Sequence, residues 1–168
     1  MDDEQPFPVN AVNVVRTAQQ INVQLSAMAD QKASILMGAA CVIFTIAINQ
    51  AHGALPPLPL LILGASAFVA AAFAVLAIMP AAGTKPRGSA NLLFFGAFAQ
   101  LEEEAFTEAM LEILRSDEAS YRAMLRDMHQ NGVVLARRKY RMLAYAYRAL
   151  LAGMTASFLT FVVQSFVA

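Results

Sequence analysis

The sequence predicts an all-α membrane protein: three transmembrane helices and a helical cytoplasmic region, self-associated into a homo-oligomeric bundle. Three observations carry that prediction. Apolar residues make up 58% of the 168 positions and charged residues 14%, against roughly 45–50% and about 25% in soluble domains. No Asp, Glu, Lys or Arg occurs between Lys32 and Lys85, or after Arg148. No alternating apolar segment bounded by turn residues appears, so no sheet is expected.

Residues 1–32 read as a cytoplasmic amphipathic helix, its start marked by Pro6 and Pro8. Val14, Ala18, Ile21, Leu25 and Met28 recur at alternating steps of four and three, a narrow helical stripe. No Pro or Gly separates this stripe from the apolar run 33–49, the first span, so one helix is expected from about Val9 to Asn49. At 1.5 Å per residue that helix is on the order of 60 Å long. The acidic opening Asp2-Asp3-Glu4 argues against a cleaved leader. Residues 50–57, with His52, Gly53, Pro56 and Pro57, form a short extracytoplasmic loop. Residues 58–79 are the second span, long enough for the about 20 residues a crossing needs.

The cytoplasmic sensor region, 80–142, opens with a Pro- and Gly-containing loop from Pro80 to Ser89. A helix is expected from about Asn91 to Arg115. It would have an apolar face that includes Phe98, Leu101, Phe106, Met110 and Ile113, and an acidic face of Glu102, Glu103, Glu104, Glu108 and Glu112. Ser116 or Asp117 caps the next helix. That helix runs past Gly132, where a kink or a close helix approach is expected, into the third span, 143–168. About 60 residues between spans make a meagre core on their own, and self-association supplies the missing partner surface.

Every Lys and Arg falls at Arg16, Lys32 or between Lys85 and Arg148. By the positive-inside rule the N-terminus and 80–142 are cytoplasmic and the C-terminus extracytoplasmic. Zero net charge offers no field for nucleic acid. The single cysteine, Cys41, excludes an internal disulfide and multi-cysteine metal motifs. His52 and His129 fall on opposite sides of the membrane. With no phosphate-binding glycine loop, zinc helix or nucleophile elbow, no catalytic residue, metal or cofactor is expected, and the chain does not read as an enzyme. Nor does an ionisable group inside a span suggest a proton-coupled transporter.

Arg122, Arg126, His129, Arg137, Arg141 and Arg148 fall along one helical stripe, with Tyr121, Tyr140, Tyr145 and Tyr147 nearby. Guanidinium groups grip phosphate and aromatic rings stack on bases, so a small anionic nucleotide suits the set. The same stripe equally suits neutralisation of the acidic helix face, or anionic lipid. Arg137, Arg138, Lys139 and Arg141 are the candidates for phosphate, with Tyr121, Tyr140 and Phe95 for stacking. Asp30 and Lys32, at the inner mouth of the first span, are either headgroup anchors or coupling residues. Gly153, Ser157, Thr160 and Gln164 form a packing or pore seam in the third span.

Two stretches resemble a known family. One is Ala29-Asp30-Gln31-Lys32-Ala33-Ser34 through Gly38. The other is Asn91-Leu-Leu-Phe-Phe-Gly-Ala-Phe, followed by Tyr121, Asp127, Gly132, Leu135-Ala-Arg-Arg-Lys139-Tyr140 and Tyr147. Together they are similar to the transmembrane effector family of Pycsar anti-phage systems. The resemblance implies abortive-infection immunity. A partner pyrimidine nucleotide cyclase makes cyclic UMP or cyclic CMP, and the effector detects it and impairs the bacterial inner membrane. No β-rich nucleotide-binding domain is legible, so the ligand falls to the helical cytoplasmic region. The rival reading is a constitutive membrane scaffold or lipid-binding protein without a nucleotide ligand.

Three crossings put the ends of the chain on opposite sides of the membrane. A reporter active only in the cytoplasm, fused at the N-terminus, and one active only after export, fused at the C-terminus, should both signal. Signals placing both ends in one compartment would exclude three crossings.

Overall fold

The computed structural model describes residues 7–8, 10–50, 55–79 and 91–167. The acidic opening with Pro6, the part of the short loop that holds His52, and the Pro80–Ser89 loop lie outside the described residues. The described residues form helices and no strand: α1 Ala11–Asn49, α2 Leu58–Ile78, α3 Phe95–Phe98, α4 Glu103–Leu114, α5 Asp117–Val134 and α6 Arg141–Val167. A π-helical segment, Leu135–Tyr140, joins α5 to α6 without interruption. Three helices are long and apolar enough to cross a membrane: α1, α2 and the continuous Asp117–Phe166.

The chain divides into two compact units. One comprises residues 26–79 and 135–168, the other 1–25 and 80–134.

In the first, the apolar stretches make helices because lipid offers backbone N–H and C=O groups no partner outside the helix itself. Their contact surface is mostly alanine. Ala33, Leu36 and Ala40 of α1 cluster with Ala67, Ala70, Ala74 and Ala77 of α2 and with Leu143, Ala146 and Leu150 of α6. Small side chains let helices approach closely enough for dispersion to hold them in a solvent as apolar as themselves. Gly64 takes this furthest against α1, since a Cβ there would stand 2.9 Å from that of Ala47. Gly153 does so against α2, since any Cβ there would overlap the Ser66 side chain. The bulky residues Ile35, Val42, Phe68, Val69, Phe158 and Phe161 point outward, which is costly in water and favourable in lipid. α2 starts with Pro59 in its first turn, where a missing N–H breaks no helical bond. An apolar groove of about 480 Å³ lies between α1 and α2, lined by Phe44, Ile48, Leu60, Leu61 and Phe68 among others.

In the second unit, the single helix expected from Asn91 to Arg115 is instead two, α3 and α4. Two local effects replace it: one delays the start of α3, and the other separates α3 from α4. The Asn91 side-chain oxygen accepts the Leu93 N–H at 3.1 Å, a turn that competes with helix for the backbone. Farther on, Glu102 is extended and Glu103 and Glu104 occupy the first turn of α4. Negative charge there is stabilised by the helix dipole and would gain nothing mid-helix. Ser116 is the residue that caps α5, its hydroxyl accepting the Ala119 N–H at 3.1 Å. Gly132 lies in regular helix with open space around its Cα, and the irregular segment is Leu135–Tyr140.

Replacing Gly153 with Ala should destabilise the detergent-solubilised protein by about 1–3 kcal/mol, the usual cost of overpacking. Ser66→Gly in the same chain should restore most of the loss, because it removes the atoms the new methyl meets. Gly132→Ala, with nothing to meet, should be neutral or stabilising by up to about 1 kcal/mol. Thermal unfolding followed by helical signal reads all three.

Candidate functional site

The π-helical segment Leu135–Tyr140 holds Arg137, Arg138 and Lys139, and Arg141 opens α6 directly behind it. A π turn widens the helix and leaves its hydrogen bonding imperfect, which is why such turns gather at functional positions. Lys139 is the best-anchored of the four. Its ammonium donates to Asp30 Oδ2 at 2.6 Å and to Ser26 Oγ at 2.8 Å, both on α1. Ser26 and Asp30 are four residues apart on one helical face, so a single lysine reaches both. The pair is partly enclosed, with the Lys139 and Asp30 side chains 19% and 39% exposed. Among the described residues, Asp30 Oδ1 is buried without a hydrogen-bond partner.

The neighbouring cations differ. Arg137 and Arg141 are exposed and Arg138 half-buried, and none of the three forms an ion pair among the described residues. Arg122, farther up the basic stripe, is paired with Glu118 on its own helix, and Arg115 with Glu112. Those exposed pairs contribute at most about 1 kcal/mol each. Lys32 stands exposed, without an ion pair among the described residues. It is two positions from Asp30, and residues so spaced do not share a helix face. Tyr140 is half-buried in the unit that holds the basic segment.

The two other stacking candidates belong to the other unit. Tyr121 lies against Phe7 with ring centroids 4.7 Å apart, and Phe95 is exposed beside Phe94. That unit also contains a polar cluster that sequence reasoning missed. Asn91 is buried, and its side-chain amide donates to Asp127 Oδ1 and to Gln130 Oε1, both at 3.0 Å. Gln19 of α1 approaches Asp127 Oδ2 at 3.4 Å. Both amide hydrogens of Asn91 thus fasten the turn at 91–94 onto α5, while its oxygen holds the turn itself through the Leu93 N–H.

Of the four third-span residues, Gly153 and Ser157 meet α2. Gly153 is buried against Ser66, and the Ser157 hydroxyl donates to the Pro59 carbonyl at 2.8 Å. Thr160 donates to Ala156 of its own helix, and Gln164 is exposed. The groove between α1 and α2 is lined by carbon and offers a phosphate nothing. Among the described residues no group of His, Cys, Asp and Glu is placed to hold a metal ion.

Residues 13–165 match the family described as the Pycsar effector protein domain. No curated protein and no solved structure matches the chain. A match over nearly the whole length, on a chain with three membrane-crossing helices, makes this protein a membrane member of the Pycsar effector family of antiviral defence.

Proposed function

We propose that the chain is a non-enzymatic, homo-oligomeric effector of the bacterial inner membrane. It answers cyclic UMP or cyclic CMP, made by a partner cyclase during phage infection, by impairing that membrane. The family match over residues 13–165 carries this reading. The basic π segment supports a way for it to work. Arg137, Arg138 and Arg141 leave guanidinium groups available to a phosphate, and forked guanidinium contacts are the strongest such bonds. Lys139 beside them already holds Asp30. A phosphate seated on the arginines competes for that ammonium, and Asp30, already missing one partner, then sits charged and poorly satisfied near the inner end of the α1 span. Relief comes from moving the span. The nucleotide thereby acts through its different contacts with two states, which is the only way a ligand shifts an equilibrium. Tyr140, in the same unit as these arginines, is the stacking candidate for the pyrimidine.

Vesicles carrying the purified protein and a trapped dye test the reading. Cyclic UMP or cyclic CMP should release dye, and cyclic AMP at the same concentration should not. If neither pyrimidine nucleotide changes leakage, the effector reading falls and the constitutive scaffold stands.

Substitutions separate the sensor from the latch. Arg137→Ala with Arg138→Ala should raise the nucleotide concentration for half-maximal leakage by about a hundredfold or more, since two hydrogen bonds to charged groups at about 1.5–3 kcal/mol each are lost. Asp30→Asn should raise leakage without nucleotide. Exchanging the charges, Asp30→Lys with Lys139→Asp, should return basal leakage toward that of the parent while leaving the response weak.

A further inference from the structure

The apolar stripe of α1 is not spent on the chain's own core. The face of α1 that packs internally runs through Ala29, Ala33, Leu36, Ala40 and Ala47. Ahead of the span that same face is polar, with Gln19 and Ser26 making the hydrogen bonds described above. The stripe of Val14, Ala18, Ile21, Leu25 and Met28 lies on another side, and its large members stay open: Val14 is 68% exposed and Ile21 50%, with Leu25 and Met28 also exposed. Continued at the same alternation of four and three, the stripe reaches Lys32, Ile35, Ala39, Val42 and Ile46, all exposed.

We propose that this stripe is a parallel self-association seam, on which α1 of one copy packs against α1 of a second copy. A strict repeat of seven is the pattern that keeps one seam facing a partner helix. A helix that only covers a globular core shows a broader face. Copies inserted in one bilayer with one topology present α1 in the same direction, so identical seams meet in register. The flanks fit a copy of the same chain. Thr17, Asn22, Gln24 and Gln31 border the seam without charge, so the flanks of like copies meet without repulsion and a charged partner finds nothing on them to pair with. Arg16 lies on the far side of the helix. Lys32 is the one charged seam position, at the membrane end, where a single polar residue sets register at some cost in stability. This inference gives the self-association proposed above a surface, and it stands or falls separately from nucleotide sensing.

Disulfide trapping in native membranes tests it. In a Cys41→Ser background, single cysteines at Val14, Ile21 and Leu25 sit on the seam. A cysteine at Val23, which is 68% exposed but on the opposite side of α1, is the control. Mild oxidation without nucleotide should convert the seam variants to a species of twice the subunit mass at least tenfold faster than Val23→Cys. Equal rates, no doubled species, or adducts of another mass would overturn the seam. Ile21→Asp with Leu25→Asp should abolish trapping through Val14→Cys, and persistence of trapping would overturn it as well. Dye release by the parent protein reports the nucleotide reading independently, so failure of one is distinguishable from failure of the other.

Discussion

Hydrocarbon removes the usual reason for helices to associate, because a leucine against lipid is as comfortable as a leucine against protein. What holds α1, α2 and α6 together is therefore how closely their backbones can approach. The alanines of the shared face, with Gly64 and Gly153 at the tightest points, set that distance. Close approach has a second consequence. It brings the Ser157 hydroxyl onto the Pro59 carbonyl and Lys139 onto Asp30 and Ser26, so the polar contacts of this unit follow from its small side chains. A core of leucines would fill the same membrane and hold those groups apart.

Much of this was readable because lipid is a strict solvent. Charge is missing between Lys32 and Lys85 and again after Arg148, and a water-soluble chain has no need to clear such long stretches of it. Those gaps locate membrane-crossing helices without any propensity argument. The helix of 39 residues was equally legible, since nothing in its sequence breaks it before Gly38. The family resemblance rested on Ala29–Gly38 and on the order of residues from Asn91 to Tyr147, inside the matched range. Water-exposed parts were harder. Where α3 begins depends on which amide Asn91 accepts from, and the break between α3 and α4 on where three glutamates lie relative to a helix end, choices decided by fractions of the energy of one hydrogen bond.

The polar contacts show a different limit. Periodicity reports faces, and a face can be computed from spacing alone. A contact such as Lys139 with Ser26, or Asn91 with Asp127 and Gln130, needs two distant segments placed to within an ångström. Asp30 was conspicuous as a charge beside a span, but spacing could not say that Lys139 was its partner. Lys32 looked equally conspicuous and makes no such bond among the described residues. The π segment is invisible for a related reason: it differs from an α-helix by a shift in hydrogen-bond partner that the composition of Leu135–Tyr140 does not announce.

The size of the Lys139 interaction constrains how a switch built on it has to work. Moving an equilibrium from one part in a hundred to ninety-nine needs a preference of about 5.5 kcal/mol. A charge-assisted hydrogen bond contributes about 1.5–3 kcal/mol, and a half-exposed ion pair less than a buried one. One phosphate drawing on one lysine therefore falls short, the more so once the loss of the Asp30 pair is subtracted. The shortfall closes when several chains change state together, since each occupied site then biases the same transition. A helix that couples copies along its length is the element such a device requires. α1 meets that description: it carries the Asp30 end of the ion pair with Lys139, is long and apolar enough to cross a membrane, and leaves a seven-residue apolar repeat exposed.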